Sequence, residues 1–155
     1  MTDATAPSLT LSLPTEDETS HLGQRLARLA RPRDCLLLEG PIGAGKSHLA
    51  RAFIRERLGR AEEVPSPTFT LVQVYAADVE IWHADLYRLT HPDEVWELGL
   101  DDAFRQAICL VEWPDRLGSH LPQDALHIRL RQTGEGREAI LTGGRAGLIE
   151  ALAHG

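Results

Sequence analysis

The stretch Leu36-Leu37-Leu38-Glu39-Gly40-Pro41-Ile42-Gly43-Ala44-Gly45-Lys46-Ser47 restricts the fold of this chain more than any other. An apolar run stops at a glycine-rich turn. Lys46-Ser47 then opens a segment whose apolar residues, Leu49, Phe53, Ile54 and Leu58, recur at helical spacing. Gly40, Gly45, Lys46 and Ser47 fit the phosphate-loop spacing G-x-x-x-x-G-K-[ST]. Side chains must be absent where backbone N–H groups curl around phosphate oxygens, and the start of the following helix adds free N–H groups and a favourable dipole. In this reading Lys46 reaches the β- and γ-phosphates as a point charge and the Ser47 hydroxyl ligates Mg²⁺. Chance supplies such a match in roughly half a per cent of chains of this size, and the strand before and helix after lower that further.

At 155 residues the chain is long enough for one domain with its own core. A formal charge of −7 argues against a broad electrostatic grip on bare nucleic acid, though not against a role on it through a partner. No apolar run reaches membrane-spanning length, and no basic-then-apolar leader precedes the first elements. Cys35 and Cys109 sit in apolar, strand-like runs and read as buried reduced thiols, so the expected setting is the cytoplasm. The histidines lack ligand spacing, which makes zinc unexpected.

Residues 1–8 read as a disordered N-terminus and residues 9–155 as a single domain. The alternation in Ser8–Leu13 predicts a half-buried strand. Thr15 and Glu18 form a capping box for a helix that buries Leu22, Leu26 and Leu29 and ends before Pro32. Cys35–Glu39 and Lys46–Leu58 are the strand and helix flanking the glycine loop. Val64-Pro65-Ser66-Pro67 is a stiff linker, after which residues 68–75 and 79–84 predict a hairpin and therefore a mixed sheet. His91-Pro92-Asp93-Glu94 starts a helix that stops at Gly99, and a second short helix covers 101–105. The apolar run 107–111 predicts a central strand covered on both faces. Residues 126–132 and 137–142 alternate around Gly134-Glu135-Gly136 as a second hairpin, and 147–153 predicts a final short helix.

A phosphate loop hydrolyses nothing without a carboxylate near the metal and a way to position water. Asp85 and Glu112 both lie at the C-terminal ends of predicted strands, where ligands bind in open α/β sheets. Each reads as a metal-side carboxylate or, alternatively, as a helix cap or half of an ion pair. Thr68 in Ser66-Pro67-Thr68 is either a γ-phosphate-sensing threonine or part of a rigid turn. His83 reads as a packed strand histidine, with proton transfer as the sharper alternative. Trp113 is a stacking residue or a core residue. Arg137 reads as a solvated hairpin residue, His48 as a packing residue, and Glu16–Glu18 as helix capping.

Taken in order, the motifs resemble one family. Gly40–Ser47 carries G-x-x-G-A-G-K-[ST], 66–72 carries S-P-T-[FY]-T-L-V, 83–89 carries H-x-D-L-Y-R-L, 94–99 carries E-x-x-x-L-G and 110–114 carries [LV]-V-E-W-P. This order is similar to that of the TsaE family, small bacterial ATPases needed to make threonylcarbamoyladenosine at position 37 of tRNA, and the likeness runs from about Leu9 to Thr142. The resemblance implies an α/β, P-loop NTPase-like three-layer fold with central parallel strands extended by antiparallel ones. It implies ATP as nucleotide, ADP as product, Mg²⁺ as metal, and TsaD and TsaB as protein partners, with tRNA reached only through them.

The resemblance also implies roles position by position. Ile42, Gly43, Ala44, Gly45, Lys46 and Ser47 would hold phosphate. Ser47 and Glu112 would ligate Mg²⁺, and Asp85 would lie close to the phosphates. Thr68 would be the switch-like threonine, and Glu16 and Arg137 would hold the nucleotide from the two chain ends. Pro41 stands where the family usually has an acid, Ser47-His48 replaces Thr-Thr, and Ala84 replaces a common Phe. Serine keeps the hydroxyl the metal needs. Two other classes fit a phosphate loop: a small-molecule kinase, which needs an acceptor pocket and an arginine-bearing lid, and a non-catalytic module that signals by nucleotide occupancy.

Overall fold

The computed structural model describes residues 8–41, 43–59, 64 and 71–154. In chain order the elements are β1 (Ser8–Leu13), α1 (Glu16–Leu29), β2 (Cys35–Glu39), α2 (Lys46–Leu58), β3 (Val72–Ala76), β4 (Glu80–Asp85), α3 (Glu94–Leu98), α4 (Leu100–Gln106), β5 (Ile108–Glu112), a 3₁₀ segment (Pro114–His120), β6 (Leu126–Thr133), β7 (Gly136–Gly143) and α5 (Leu148–His154). One seven-stranded sheet runs in the order β1-β7-β6-β2-β5-β4-β3. β6, β2, β5 and β4 are mutually parallel; β7 and β1 extend one edge, and β3 the other, by antiparallel pairing. Both predicted hairpins are present, and the mixed sheet follows from them.

β2 and β5 are buried on both faces and β4 nearly so, and alternate residues of these strands divide between two cores; β6 is buried on one face only. Leu36, Leu38, Ile108, Leu110 and Ile81 face α1, α2 and α5. Cys35, Leu37, Cys109, Val111 and Ala84 face α3, α4 and the 3₁₀ segment. This is the three-layer arrangement. α1 begins at its predicted cap, where the Thr15 hydroxyl accepts from the Glu18 amide at 3.3 Å. α1 packs so closely on α2 that a Cβ at Gly23 would stand 2.7 Å from the Leu49 carbonyl oxygen.

β2 and α2 have their predicted bounds. The expected strand 107–111 runs instead as Ile108–Glu112, so Glu112 ends the strand and does not follow it. β1 spans Ser8–Leu13 as the alternation predicted, with Ser8 paired to Thr142. The 3₁₀ segment after Trp113 was not expected; Pro114 starts it and Gly118, at φ 58° and ψ −122°, breaks it. Ile42 and residues 65–70, which include Thr68 and the linker after Val64, lie outside the described residues.

Candidate functional site

The glycine loop joins β2 to α2 at the C-terminal edge of the parallel strands. Gly40 has φ 148°, and a Cβ there would lie 2.5 Å from the carbonyl oxygen of Leu130 on β6, so the turn out of β2 admits no side chain. Gly45, at φ 103°, is the N-cap of α2 and provides no side-chain cap. The first amides of α2 are therefore left for an external acceptor.

Lys46 is 5% exposed. Its ammonium donates to the Gly40 carbonyl and lies 3.6 Å from the centroid of the Trp113 ring, a cation–π contact. Burial pulls its pKa down, opposed by Glu112, Asp85 and Asp115. Trp113 has φ 60° and ψ 54°, the left-handed region in which a non-glycine residue is strained. That conformation turns the chain at the end of β5 and lays the indole beside Lys46 and, tilted at 4.9 Å, against Tyr87. Of the two sequence readings of Trp113, stacking or core, the structure shows a half-buried ring packed against Lys46 and Tyr87.

β4 and β5 pair in parallel with Asp85 opposite Glu112, so the two carboxylates end neighbouring strands. Glu112 is 2% exposed. The Ser47 hydroxyl donates to its Oε1 at 3.1 Å and Oε2 at 3.3 Å. From the other side His83 Nε2 lies 2.7 Å from Glu112 Oε2. Asp85 is half-buried; its Oδ1 accepts from the Tyr87 amide at 3.1 Å, and burial raises its pKa, with Glu112 adding to the rise. Sequence reasoning passed over His83 as a packing residue. The alternation of β4 held the clue, since a residue two before Asp85 shares its face.

The antiparallel wing reaches the same loop. β6 continues beyond the end of β2, and the turn at 134–135 returns the chain so that the Arg137 guanidinium donates to the Gly43 carbonyl at 3.3 Å and lies against Gly45. Arg137 is not the solvated hairpin residue that its spacing suggested. Arg137 and Glu16 line one pocket of 220 Å³ with Thr15 and Gln132, because β1 pairs with β7 and delivers the start of α1 beside the hairpin. His48 packs as expected, with Nε2 2.7 Å from the Ser20 hydroxyl of α1.

The donor set suits a hard divalent cation that shares its coordination with phosphate: one hydroxyl and one carboxylate, both oxygen, held together. Among the described residues no three His, Cys, Asp or Glu side chains form a metal cage. Mg²⁺ at a phosphate site does not need one, since substrate oxygens and water complete its octahedron. No described helix is long and apolar enough to cross a membrane. Cys35 and Cys109 are free and buried, and burial raises both thiols, Cys109 to about 12.

A glycine loop between a central parallel strand and a helix, a buried lysine at that helix's first position and a carboxylate at the end of the adjacent strand define a P-loop nucleotide-binding protein. Comparison with known proteins narrows this class. Residues 13–140 match the family model described as "Threonylcarbamoyl adenosine biosynthesis protein TsaE". The chain is 40% identical to a tRNA threonylcarbamoyladenosine biosynthesis protein TsaE of Bacillus subtilis over 126 residues, covering 80% of this chain and 78% of the relative. It is 34% identical to the protein of that description from Rickettsia felis over 146 residues, covering 92% of this chain and 85% of the relative. The crystal structure of YdiB from Bacillus subtilis superposes with a TM-score of 0.81 at 30% identity, covering 98% of this chain and 99% of that one. The chain belongs to the TsaE family.

Proposed function

We propose that this protein is a Mg²⁺-dependent ATPase required for threonylcarbamoyl modification of tRNA adenosine 37, acting on a TsaB–TsaD complex and not directly on a metabolite. The observation that carries the ATPase reading is the meeting of Ser47 and Glu112 at 3.1 Å beside the buried Lys46. Three groups from two distant places in the sequence converge where the γ-phosphate of a nucleotide on this loop would sit. Ser47 and Glu112 would hold Mg²⁺, which when bound neutralises charge on the β- and γ-phosphates. Lys46 leaves the Gly40 carbonyl to reach the transferring phosphoryl group, and the amides of 43–47 bind its oxygens. Arg137 and Glu16 hold the nucleotide from the antiparallel wing. Asp85 stays close to the phosphates, and Thr68 acts as the switch residue whose loop a partner orders.

Among the described residues, the ties of Arg57 do not favour the kinase alternative. Arg57, on α2, is tied to Asp78 and to the carbonyls of Ala27 and Ala30, away from the loop and unable to serve as a lid. Retention of both Asp85 and Glu112 speaks against a purely passive occupancy module. The deciding experiment is ATP hydrolysis by the protein with and without TsaB and TsaD from the same organism, with Lys46→Ala and Glu112→Ala as controls. The expected result is slow turnover alone, stimulated by the partners and lost in both variants. Equal turnover with and without the partners sinks the partner role; binding of ATP without turnover in any mixture sinks the ATPase role.

A further inference from the structure

Among the described residues His83 is a fully buried ionisable side chain outside the assigned machinery, at 0% exposure. It lies on β4, one residue of the same face before Asp85, and is registered opposite Leu110, the same-face residue before Glu112 on β5. It is therefore the diagonal neighbour of Glu112 across the strand pair, within reach of a long side chain. An ionised carboxylate only accepts hydrogen bonds, so the 2.7 Å contact places a proton on His83 Nε2 and directs it at Glu112 Oε2. The Ser47 hydroxyl approaches the same carboxylate from α2. Glu112 is a flexible side chain at the end of a strand, and with one partner it could swing about its χ angles. Two partners from different elements leave it one orientation.

From this the geometry points to His83 as a positioning residue: its Nε2–H fixes the Glu112 carboxylate through Oε2 and leaves Oε1, the oxygen nearer the Ser47 hydroxyl, toward the metal position. This rests on the reading of Ser47 and Glu112 as Mg²⁺ ligands. A ligating carboxylate is ordinarily held by a further hydrogen bond, and loss of that bond costs about 10–100-fold in metal affinity or activity. His83 touches neither phosphate nor metal, so its effect is confined to quantities that depend on the metal. Binding of nucleotide by the loop amides and Lys46 does not require it.

Two substitutions separate this role from simple core packing. His83→Gln keeps a donor at the position of Nε2, whereas His83→Asn keeps a polar atom near Nδ1 and falls short of Glu112. Both are close to histidine in size and polarity, and thermal unfolding reports whether each is folded. The probe is ADP, titrated calorimetrically with and without Mg²⁺, which reads the site without hydrolysis. The expected result is that Mg²⁺ tightens ADP binding in the wild type and in His83→Gln. In His83→Asn the gain from Mg²⁺ falls about 10-fold or more while metal-free binding is unchanged. A wild-type gain from Mg²⁺ that both variants keep, or that both lose equally, overturns the positioning role alone. A wild type with no gain from Mg²⁺ removes the metal reading itself, and His83 falls with it. If His83→Asn does not fold, His83→Gln decides: a folded His83→Gln that loses the gain overturns the inference, and one that keeps it while Ser47→Ala loses it supports the carboxylate's orientation as the controlling variable.

Discussion

The phosphate end of the sheet is assembled in two halves that treat charge differently. On the β2–β5–β4 side, Lys46, Glu112 and His83 are all buried; Ser47 and His83 both contact Glu112, and Lys46 meets the Gly40 carbonyl and the Trp113 ring. On the β6–β7–β1 side, Glu16 is exposed and Arg137 only half-buried. Parallel strands covered on both faces leave little water for a polar side chain, so Glu112, Ser47 and His83 Nε2 satisfy one another there, while His83 Nδ1 has no partner among the described residues. The antiparallel wing carries its charges at a turn and a helix start, partly open to solvent, although Arg137 Nε is itself buried. Substitutions in the first half should therefore spread to stability and chemistry together, and those in the second should change affinity alone.

The largest effect is expected for Lys46→Ala. Removing a preorganised charge from the transferring group should lower partner-stimulated ATP turnover by about 10²–10³-fold, read by phosphate release. Gly40→Ala should follow. Its Cβ meets the Leu130 carbonyl at 2.5 Å with φ 148°, and the expected loss is about 3 kcal/mol in denaturant unfolding. Glu112→Ala strips the acceptor from Ser47 and from His83 at once. It should lower unfolding stability by about 1–3 kcal/mol in addition to abolishing turnover, and an unchanged midpoint would break the picture of an interlocked centre.

Arg137→Ala should weaken nucleotide binding about threefold to tenfold, about 1 kcal/mol, with an unchanged melting temperature. A large loss of stability there would erase the distinction between the two halves. The smallest effect, and the one of opposite sign, is Asp85→Asn. Burial raises the folded-state pKa of Asp85 above the ordinary 3.8, so the folded protein holds the proton more tightly than the unfolded chain. The ionised group then costs stability above its folded pKa and nothing below 3.8. Asparagine can still accept from the Tyr87 amide, so Asp85→Asn should raise the melting temperature at pH 7. The gain should disappear as the pH falls below about 3.8.

Much of the first half was legible in sequence because it depends on local chemistry. β2 and α2 have their predicted bounds, since a buried apolar run, a glycine turn and a helix start are each specified by neighbours in the chain. Asp85 and Glu112 were found for the same reason: each follows a strand-forming run. His83 was legible in part, through the two-residue period that puts it on the face of Asp85, but its 2.7 Å contact with Glu112 crosses 29 positions and no spacing encodes it. The left-handed turn at Trp113 was not legible, because nothing in an indole side chain favours positive φ; the contacts of its ring with Lys46 and Tyr87 hold it there.

By itself, then, the sequence determined the phosphate loop, the alternation that divides β4 and β5 between two faces, the two hairpins and the order of motifs that marks the family. Each is a property of residues within a turn or a strand of one another. Tertiary structure alone decided which charges share a partner. The register of β4 on β5 sets Asp85 opposite Glu112, the packing of α2 on that sheet turns Ser47 to the same carboxylate, and the overhang of β6 beyond β2 brings Arg137 to Gly43. Those choices depend on how distant segments exclude water together, and burial of that kind is a property of the assembled sheet and helices.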